Sequence, residues 1–289
     1  MNDYLLSIIL GIIEGLTEFL PISSTAHLRI AEALFHLDLR DSFWKMYTIV
    51  IQLGAILALP VYFWNRILKF LSTFPGGERG DRTILTHPLS LTMIAFVVTA
   101  VPSFLLSKVI GKNLESLHVM AWAILIGGLI MWLVDVLCRT PRVAHMEEMS
   151  LFQAVWIGAA QIFSAVFPGT SRSMSTIAAG QMAGMSRPAA LEFSFFVSMP
   201  TMAAATGYDF LKTVVLHHHA AADDTLAPLH MDGHGWIVLA IGMFVSFVVA
   251  LVAVAWFMRW VRTRGFTPFA IYRIVLGILL LVLLTRGVL

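Results

Sequence analysis

Six apolar runs along the chain are each long enough to cross a lipid bilayer as a helix. Spanning the roughly 30 Å hydrocarbon core takes about 20 apolar residues, whereas the strands of a membrane barrel would appear as short alternating segments. The runs lie at about residues 43–64, 90–110, 117–138, 189–211, 236–258 and 268–285. The pattern therefore predicts an all-α polytopic membrane protein with six transmembrane helices.

Two other apolar segments, residues 4–37 and 150–185, are each interrupted by a proline and a hydroxyl-rich break. The first arm, residues 4–20, would be about 25 Å long as a helix, which is short of the bilayer core. One interpretation is an ordinary span with a kink. We favour a re-entrant helix–break–helix hairpin in each segment, because non-helical backbone at membrane depth is tolerated where it is buried in protein or lines a wet cavity.

The two breaks are similar in sequence. GIIEGLTEFLPISSTAH occupies residues 11–27, and GAAQIFSAVFPGTSRSM occupies residues 158–174, 147 positions later. The paired positions are Gly11 with Gly158, Glu14 with Gln161, Thr17 with Ser164, Pro21 with Pro168, and Ser24 with Ser171. If each half holds one hairpin and three spans, the odd number of spans inverts the second half. We therefore expect one membrane domain over residues 1–289, an inverted repeat with halves at about 1–140 and 148–289.

Composition agrees with a membrane protein and narrows the partners. Hydrophobic residues make up 58% of the 289 positions and charged residues 12%, against about 25% charged in soluble domains. The net charge of +2 gives no reason to expect a nucleic-acid partner, and the single Cys138 excludes an internal disulfide. The N-terminal apolar stretch has no basic segment and contains two glutamates, so we do not expect a cleavable signal there.

Basic residues are distributed unequally between the two sides of the predicted membrane domain. Ten fall on one side and seven on the other, and the loop at residues 212–234 has one lysine against three aspartates. The richer side holds Arg66, Lys69, Arg79, Arg82, Arg139, Arg142, Arg187, Arg259, Arg262 and Arg264. The positive-inside rule places that side in the cytoplasm. The first hairpin, both termini and the 212–234 loop would then face outward.

Glu14 and Glu18 are carboxylates inside apolar sequence, four residues apart, and so share one face of a helix. Ionisable groups at membrane depth are expensive and usually functional. The pair could hold a divalent cation through its oxygens. Without a metal, mutual repulsion would favour protonation of one carboxyl, which could act as a proton donor or base. The alternative is that buried hydroxyls or backbone groups simply satisfy the two carboxylates.

A cluster of polar residues follows Pro21 directly: Ser23, Ser24, Thr25 and His27. Proline followed by hydroxyl residues is a helix-start signal, so these side chains could be N-caps and no more. A helix N-terminus also attracts anions. His27 could accept the proton of an attacking Ser24, donate to a leaving oxygen, or attack phosphorus itself. A lone intramembrane histidine could instead only join two helices.

The second break carries Arg172 within PGTSRSMST, residues 168–176. A guanidinium at this depth needs an anionic partner, and one interpretation is an ion pair with Glu14 or Glu18. The alternative is a phosphate, which the planar fork grips through two hydrogen bonds. The further hydroxyl donors in this break are Ser171, Ser173 and Thr176. Together, the carboxylates, hydroxyls, imidazole and guanidinium of the two breaks fit phosphoryl transfer.

Weaker candidates lie elsewhere in the chain. Gln52 and Glu192 are polar residues in or near spans and could support the site, while we expect Arg273 to extend toward the membrane surface. The histidines of the 212–234 loop match no strong metal motif, so an outward polar loop is the expectation. They are His217, His218, His219, His230 and His234.

Over essentially its whole length the sequence resembles the undecaprenyl-diphosphate phosphatases, the bacitracin-resistance protein family. EGLTEFLPISSTAH (14–27) and PGTSRS (168–173) are similar to the two signature motifs of that family. IVIQLGAILAL (49–59) and SRPAALEFSFFVSMP (186–200) resemble it as well. Ala26 stands where the family usually has glycine, and Met174–Ser175 replaces a pair of small residues. Both departures leave the polar residues intact.

The resemblance implies a hydrolase of the bacterial cytoplasmic membrane. Its substrate would be undecaprenyl diphosphate, whose terminal phosphate it removes to regenerate the lipid carrier for peptidoglycan, conferring bacitracin resistance. A divalent cation, Mg²⁺ or Ca²⁺, is also implied, and a homodimer is among the expected assemblies. The charge bias, not the resemblance, predicts a site open to the periplasmic side, and its small margin leaves a cytosolic opening as the alternative. By position, catalytic roles fall on Glu18, His27, Ser24 and Arg172, phosphate binding on Arg172, Ser23, Thr25, Ser171, Ser173 and Thr176, and metal binding on Glu14 and Glu18.

A lipid-phosphate transporter or flippase is the main alternative, because inverted repeats and broken helices are typical of transporters. A carrier would bind the lipid without hydrolysing it. Phosphate release in detergent, where transport cannot occur, therefore separates the two hypotheses. Within the hydrolase hypothesis, the sequence leaves the nucleophile open between Ser24, His27 and water.

Overall fold

The regular structure is helical, as the computed structural model shows for residues 2–37, 42–78, 80–114, 116–211 and 232–287. Besides the helices, those ranges hold one 3₁₀ turn and one isolated bridge between Val143 and Met185. The α-helices are α1 (Asp3–Thr17), α2 (Ser24–Leu34), α3 (Ser42–Tyr62), α4 (Trp64–Thr73), α5 (Pro88–Leu105), α6 (Ser107–Leu114), α7 (Leu117–Leu137), α8 (Leu151–Val166), α9 (Arg172–Met182), α10 (Arg187–Phe210), α11 (Gly233–Arg264) and α12 (Thr267–Thr285).

Several of these helices are long and apolar enough to cross a membrane. Within the described ranges they are α5, α7, α11 and α12, and a fifth candidate is the pair formed by Met46–Tyr62 and α4, which is bent by 62°. This confirms the predicted all-α, multi-pass membrane class. The predicted run at 236–258 underestimates α11, which continues to Arg264, and the predicted run at 90–110 overshoots α5, which ends at Leu105.

Helix α10 occupies the fourth predicted span but is more polar than the other candidates. Its residues Phe193, Phe195 and Val197 are fully buried, and so are the hydroxyl-bearing Ser194 and Ser198. A helix that is buried on several sides contacts protein rather than lipid, so it tolerates polar side chains that find partners. The run predicted at 189–211 is a helix of 24 residues, but its surroundings are mainly protein and it is not among the membrane-crossing candidates above.

Each predicted break separates two helices that fold back on one another. In the second hairpin, Gln153 Nε2 donates to Ala183 O (2.8 Å) and Trp156 Nε1 donates to Ala179 O (3.1 Å), which places the start of α8 beside the end of α9. In the first hairpin, α1 packs against α2. With 15 and 16 residues, α1 and α8 are only about 22–24 Å long, so neither spans the core alone. Entry and exit on one side of the membrane stays a prediction.

The hairpin of each predicted half packs against a helix of the other half. Helix α1 packs against α11 of the second half, and α8 packs against α5 of the first. A Cβ on Gly11 would lie 2.8 Å from Gly242 O, and a Cβ on Gly158 would lie 2.6 Å from Ala95 O. Ala95 and Gly242 are 147 positions apart, the same offset as the two glycines. The same pair of close contacts at the same offset is what the predicted repeat would give in the helices that the hairpins contact.

Ion pairs and hydrogen bonds join helices at the end of the molecule that the charge bias predicts to be cytoplasmic. Asp135 of α7 accepts from Arg187 Nε (2.6 Å) and from the backbone N–H of Thr267 (3.1 Å), joining α7, α10 and α12. Arg66 pairs with Glu192 (2.8 Å) and Glu147. Glu192, a weaker candidate for the site, therefore belongs to this network instead.

Candidate active site

Both breaks end in a serine with a left-handed backbone. Ser23 has φ of 74° and Ser171 has φ of 70°, a region that residues other than glycine rarely adopt. Strained backbone of this kind persists where the surrounding structure holds it, often at functional sites. In each case the next residue begins the second helix of the hairpin, Ser24 in α2 and Arg172 in α9.

This geometry corrects the register predicted for the repeat. The sequence pairs Ser24 with Ser171, but the structure matches Ser23 with Ser171 at the left-handed position. Counted from the proline, the left-handed serine is two residues on in the first break and three in the second, where Gly169 (φ 94°) lies between them. As a consequence, Arg172 occupies the helix-start position that Ser24 occupies in the first hairpin.

The two breaks meet, and the contact between them is polar. Arg172 Nη2 donates to Glu18 Oε1 at 3.1 Å. The Ser173 hydroxyl donates to the carbonyl of Leu20 at 3.0 Å. Carboxylate and guanidinium, 154 positions apart in the chain, thus form one ion pair in the interior, where only 12% of the Arg172 side chain is exposed.

The two carboxylates of α1 have different surroundings. Glu18 accepts a hydrogen bond from the Ser24 hydroxyl through its second oxygen, so both of its oxygens have partners. Glu14, one turn earlier, is only 1% exposed, and its Oε1 has no hydrogen-bond partner within the described residues. A buried acceptor without a donor is costly, so this oxygen is suited to a ligand that supplies positive charge.

His27 lies between the break backbone and a tyrosine of α12. Its Nδ1 is 2.7 Å from Ser23 O, and its Nε2 is 2.6 Å from the Tyr272 hydroxyl. A carbonyl only accepts, so Nδ1 carries a proton, and in the neutral ring Nε2 accepts from Tyr272. The rings of His27 and Tyr272 are stacked, with centroids 5.7 Å apart. Ser24 therefore has Glu18 as its partner rather than His27.

One of the two terminal nitrogens of Arg172 makes no hydrogen bond to the described residues. Its Nη1 is buried and has no partner within the described residues, and the guanidinium carbon lies 5.8 Å from the centre of the Phe19 ring. The ion pair with Glu18 that sequence reasoning considered is present. It uses Nη2, which leaves Nη1 for a second acceptor.

The hydroxyls of the two breaks fall into two groups. Ser24 and Ser171 are partly exposed and Thr25 is exposed, so they lie where a ligand can reach. Ser173 and Thr176 are fully buried, and Thr176 Oγ1 lies 2.6 Å from Ser194 Oγ and bonds to backbone carbonyls of its own helix. Their hydroxyls are committed to protein partners, which does not support the predicted phosphate contacts of these two residues.

Arg273 contradicts the sequence expectation. It does not extend to the membrane surface but is fully buried, and its guanidinium donates to Pro21 O (3.2 Å) and Gly169 O (3.0 Å). Tyr272, its neighbour, was not a candidate at all. The available signal was an arginine beside a tyrosine near the start of an apolar span, but nothing in the sequence links either residue to breaks more than 100 positions away.

The remaining candidates lie outside this cluster. Gln52 Oε1 accepts from Thr206 (3.4 Å), and Gln161, the counterpart of Glu14, donates to Thr201 (3.1 Å). His234 contacts Asp3 and Tyr4 at the start of α1 and α11. The prediction for His217, His218, His219 and His230 lies outside the described residues.

Comparison with known proteins gives a consistent result. The family model described as bacitracin resistance protein BacA matches residues 7–279. The chain is 64% identical over 282 residues to the undecaprenyl-diphosphatase of Koribacter versatilis, covering 97% of this chain and 98% of the relative. It is 38% identical to that of Deinococcus radiodurans (99% and 97% covered) and 41% identical to that of Rhizobium etli CIAT 652 (99% and 98% covered). The chain therefore belongs to the bacitracin resistance protein BacA family.

Proposed function

We propose that the protein is an undecaprenyl-diphosphatase that removes the terminal phosphate of the C55 lipid diphosphate. The observation that carries the proposal is the contact between the two breaks, where one carboxylate, Glu18, binds both Arg172 and the Ser24 hydroxyl. A hydroxyl, a base and an anion-binding guanidinium are thereby within reach of one reacting group. The naming of the relatives supports the same activity.

Arg172 would bind the diphosphate. Its Nη1, which has no partner among the described residues, can donate to a phosphate oxygen at once, and Nη2 can follow by leaving Glu18. A guanidinium grips phosphate through two parallel hydrogen bonds, and these strengthen as charge develops on the transferring group. The accessible hydroxyls of Ser24, Thr25 and Ser171 supply further donors, and Ser23 shapes the first break, from which Ser24 and Thr25 project.

Ser24 would be the nucleophile and Glu18 its base. The hydroxyl already donates to the carboxylate, which is the arrangement that activates a serine. As Oγ attacks the terminal phosphorus, its proton passes to Glu18, and the bond from phosphorus to the bridging oxygen breaks to release the lipid monophosphate. Water then hydrolyses the phosphoserine. His27, held by Tyr272, would exchange a proton with a phosphate oxygen.

A divalent cation fits the first break. No group of three or more His, Cys, Asp or Glu side chains is placed to hold a metal in the described ranges. However, Mg²⁺ is commonly bound by one or two carboxylates together with substrate phosphates. Glu18 and Glu14, whose buried Oε1 has no hydrogen-bond partner among the described residues, are the residues that would hold it. When bound, Mg²⁺ or Ca²⁺ would neutralise phosphate charge.

The lipid tail can remain in the bilayer during the reaction. Tyr272, which contacts His27, is 44% exposed, and its neighbours Ile271 and Val275 are exposed apolar side chains on α12. A polyprenyl chain lying on this surface would bring its diphosphate to the breaks. We place the protein in the bacterial cytoplasmic membrane with the site open to the periplasm, where it would recycle the carrier for peptidoglycan synthesis and confer bacitracin resistance.

The activity is tested with purified protein in detergent and a polyprenyl diphosphate. We expect release of inorganic phosphate that stops with EDTA and returns with Mg²⁺ or Ca²⁺. The control is the double variant Glu18→Ala/Arg172→Ala, which should bind detergent and fold but release nothing. A wild-type protein that binds the lipid diphosphate without releasing phosphate would be a carrier, and the proposal would be wrong.

A further inference from the structure

Arg273 is a buried cation that contacts both halves of the site without belonging to either hairpin. It lies on α12, and none of it is exposed. Its Nη1 donates to the carbonyl of Pro21 in the first break, at 3.2 Å. Its Nη2 donates to the carbonyl of Gly169 in the second break, at 3.0 Å, and to Ala123 O of α7, at 3.2 Å.

The carbonyls of Pro21 and Gly169 need an external donor. Both lie in a break between helices, so no helical N–H bonds them, and at membrane depth no bulk water replaces that partner. A guanidinium has five N–H donors in a rigid fork and can serve two carbonyls on different segments at once. Arg273 therefore fixes the distance between the two breaks, in addition to satisfying their backbone.

The surroundings are shaped for this guanidinium. A side chain on Gly127 of α7 would collide with Nη2 of Arg273 and would lie 2.8 Å from Cε of Met174. The helix packing that the halves share does not itself require an arginine, because the position 147 residues earlier is Ile126. The arginine is thus present only in the second predicted half, on the helix that contacts both breaks.

The charge of Arg273 has no carboxylate partner in the described part of the chain. Arg273 takes part in none of the ion pairs found among the described residues, whereas Arg172, Arg66 and Arg187 all do. A buried cation is costly unless it is compensated, and a nearby anionic ligand would provide compensation. The fixed positive charge behind the breaks would raise the potential at the place where the diphosphate binds.

We propose that Arg273 is a positioning residue for the phosphatase reaction, one that holds the two breaks in register so that Arg172 faces Glu18 and Ser24. The inference rests on the proposed function. It adds a third element, α12, to a site that the sequence motifs assign to the two hairpins alone.

Three variants separate positioning from charge and from folding. Arg273→Lys keeps the charge, but its single nitrogen cannot reproduce the fork. Arg273→Met removes both charge and fork. Gly127→Ala leaves Arg273 in place but pushes its guanidinium aside. The matched control is Gly277→Ala, whose Cβ would press on Leu125 at the same α7–α12 contact (2.8 Å) without touching Arg273.

The kinetic readout is kcat and KM for polyprenyl diphosphate in detergent, with the thermal midpoint measured alongside. We expect Arg273→Lys and Gly127→Ala to lower kcat by on the order of 100-fold, because misplacement by about 1 Å costs this much, with a smaller change in KM. Gly277→Ala should lower the thermal midpoint and leave kcat of the folded protein near wild type. If the Arg273 variants differ from wild type only in thermal midpoint, the residue is structural and the proposal is wrong.

A double-mutant cycle and a binding measurement complete the test. If Arg273 acts by positioning, Arg172→Ala should cost at least about tenfold less in the Arg273→Lys background than in wild type, because the two effects are coupled. Additive losses would overturn the proposal. Affinity for a non-hydrolysable polyprenyl methylenediphosphonate should fall about tenfold in Arg273→Lys, and unchanged affinity would also contradict it. This binding needs no turnover, so a wild-type protein that fails to hydrolyse would overturn the proposed function alone.

Discussion

The break after α1 and the break after α8 share a backbone design and carry opposite charges. Each ends in a left-handed serine and then begins an 11-residue helix. At the first helical position the first hairpin has Ser24 and the second has Arg172. One turn before its break the first hairpin has Glu14, where the second has the neutral Gln161. The shared backbone brings two helix starts together, and the divergent side chains make the pair a site for chemistry.

The comparison also shows that the chemical groups of the proposed site are divided between the two breaks. In the proposed mechanism Glu18 and Ser24 of the first break are the base and the nucleophile, and Arg172 of the second break reaches across to Glu18. Neither break holds all three groups. We therefore expect neither half alone to hydrolyse the substrate, and the most informative variants are those that alter one break at a time.

The largest effect should come from the charges that cross between the breaks. Arg172→Ala and Glu18→Ala should each lower kcat by about 10²–10³-fold, the usual loss for one preorganised charge-stabilising group. The sharper variant is the exchange Glu18→Arg/Arg172→Glu, which restores an ion pair. If the pair were only structural, the exchanged protein would recover both thermal midpoint and activity. We expect recovery of the midpoint alone, measured by thermal unfolding and phosphate release.

The hydroxyls provide the next test. Ser24→Ala should lower kcat on the order of 100-fold or more, because the proton-transfer partner of Glu18 is removed. Ser173→Ala, one position beyond Arg172, should instead lower stability by about 1 kcal/mol through loss of its bond to Leu20 O, with little change in kcat. Trapping of a phosphoserine in a rapid quench would identify Ser24 directly. Near-normal turnover by Ser24→Ala would point to water as the nucleophile.

Glu14→Gln makes the first break resemble the second at one position. If Glu14 holds the cation, the Mg²⁺ concentration for half-maximal activity should rise about tenfold or more, and added Mg²⁺ should restore kcat. Gln161→Glu is the matched control on the other hairpin and should leave the metal dependence unchanged. A Glu14→Gln protein with wild-type metal dependence would remove this residue from the metal site.

The smallest effect concerns Tyr272, which has no counterpart on the second break. Tyr272→Phe keeps the stacked ring but removes the hydroxyl that bonds His27 Nε2. Loss of one hydrogen bond of about 1 kcal/mol corresponds to roughly a fivefold fall in kcat. The variant should also change the pH dependence of kcat, whereas Tyr208→Phe, on the exposed surface of α10, should change neither. Identical pH profiles for Tyr272→Phe and wild type would show that His27 does not depend on this bond.

Much of the fold and of the candidate site follows from sequence pattern. Apolar runs predict the helices, and the repeated proline and hydroxyl residues predict both breaks, because periodicity and backbone signals are local. The proximity of Glu18 and Arg172 follows from the repeat as well. The register at Ser171 does not, since one extra residue between the proline and the left-handed serine leaves the flanking motif matched and shows only in the backbone angles.

The residues that sequence reasoning missed act over long distances. Arg273 near the start of an apolar helix has the pattern of a side chain that extends to the membrane surface, and only the folded arrangement brings two break carbonyls to it. Ser173 and Thr176 show the converse. They lie in a polar motif, but helix geometry turns their hydroxyls to buried partners, the Leu20 carbonyl for Ser173 and the Ser194 hydroxyl for Thr176.

Because the first hairpin packs against a helix of the second half, it is synthesised long before its packing partner. Helix α1 ends at Thr17, but the helix it packs against, α11, begins at Gly233. That partner is made roughly 200 residues later, which at about 5–20 residues per second is a wait of roughly 10–40 s. Throughout that interval the first hairpin, with two carboxylates, has been synthesised but lacks its main packing surface. Its final docking, and with it the joining of base and guanidinium, is therefore among the last events of assembly.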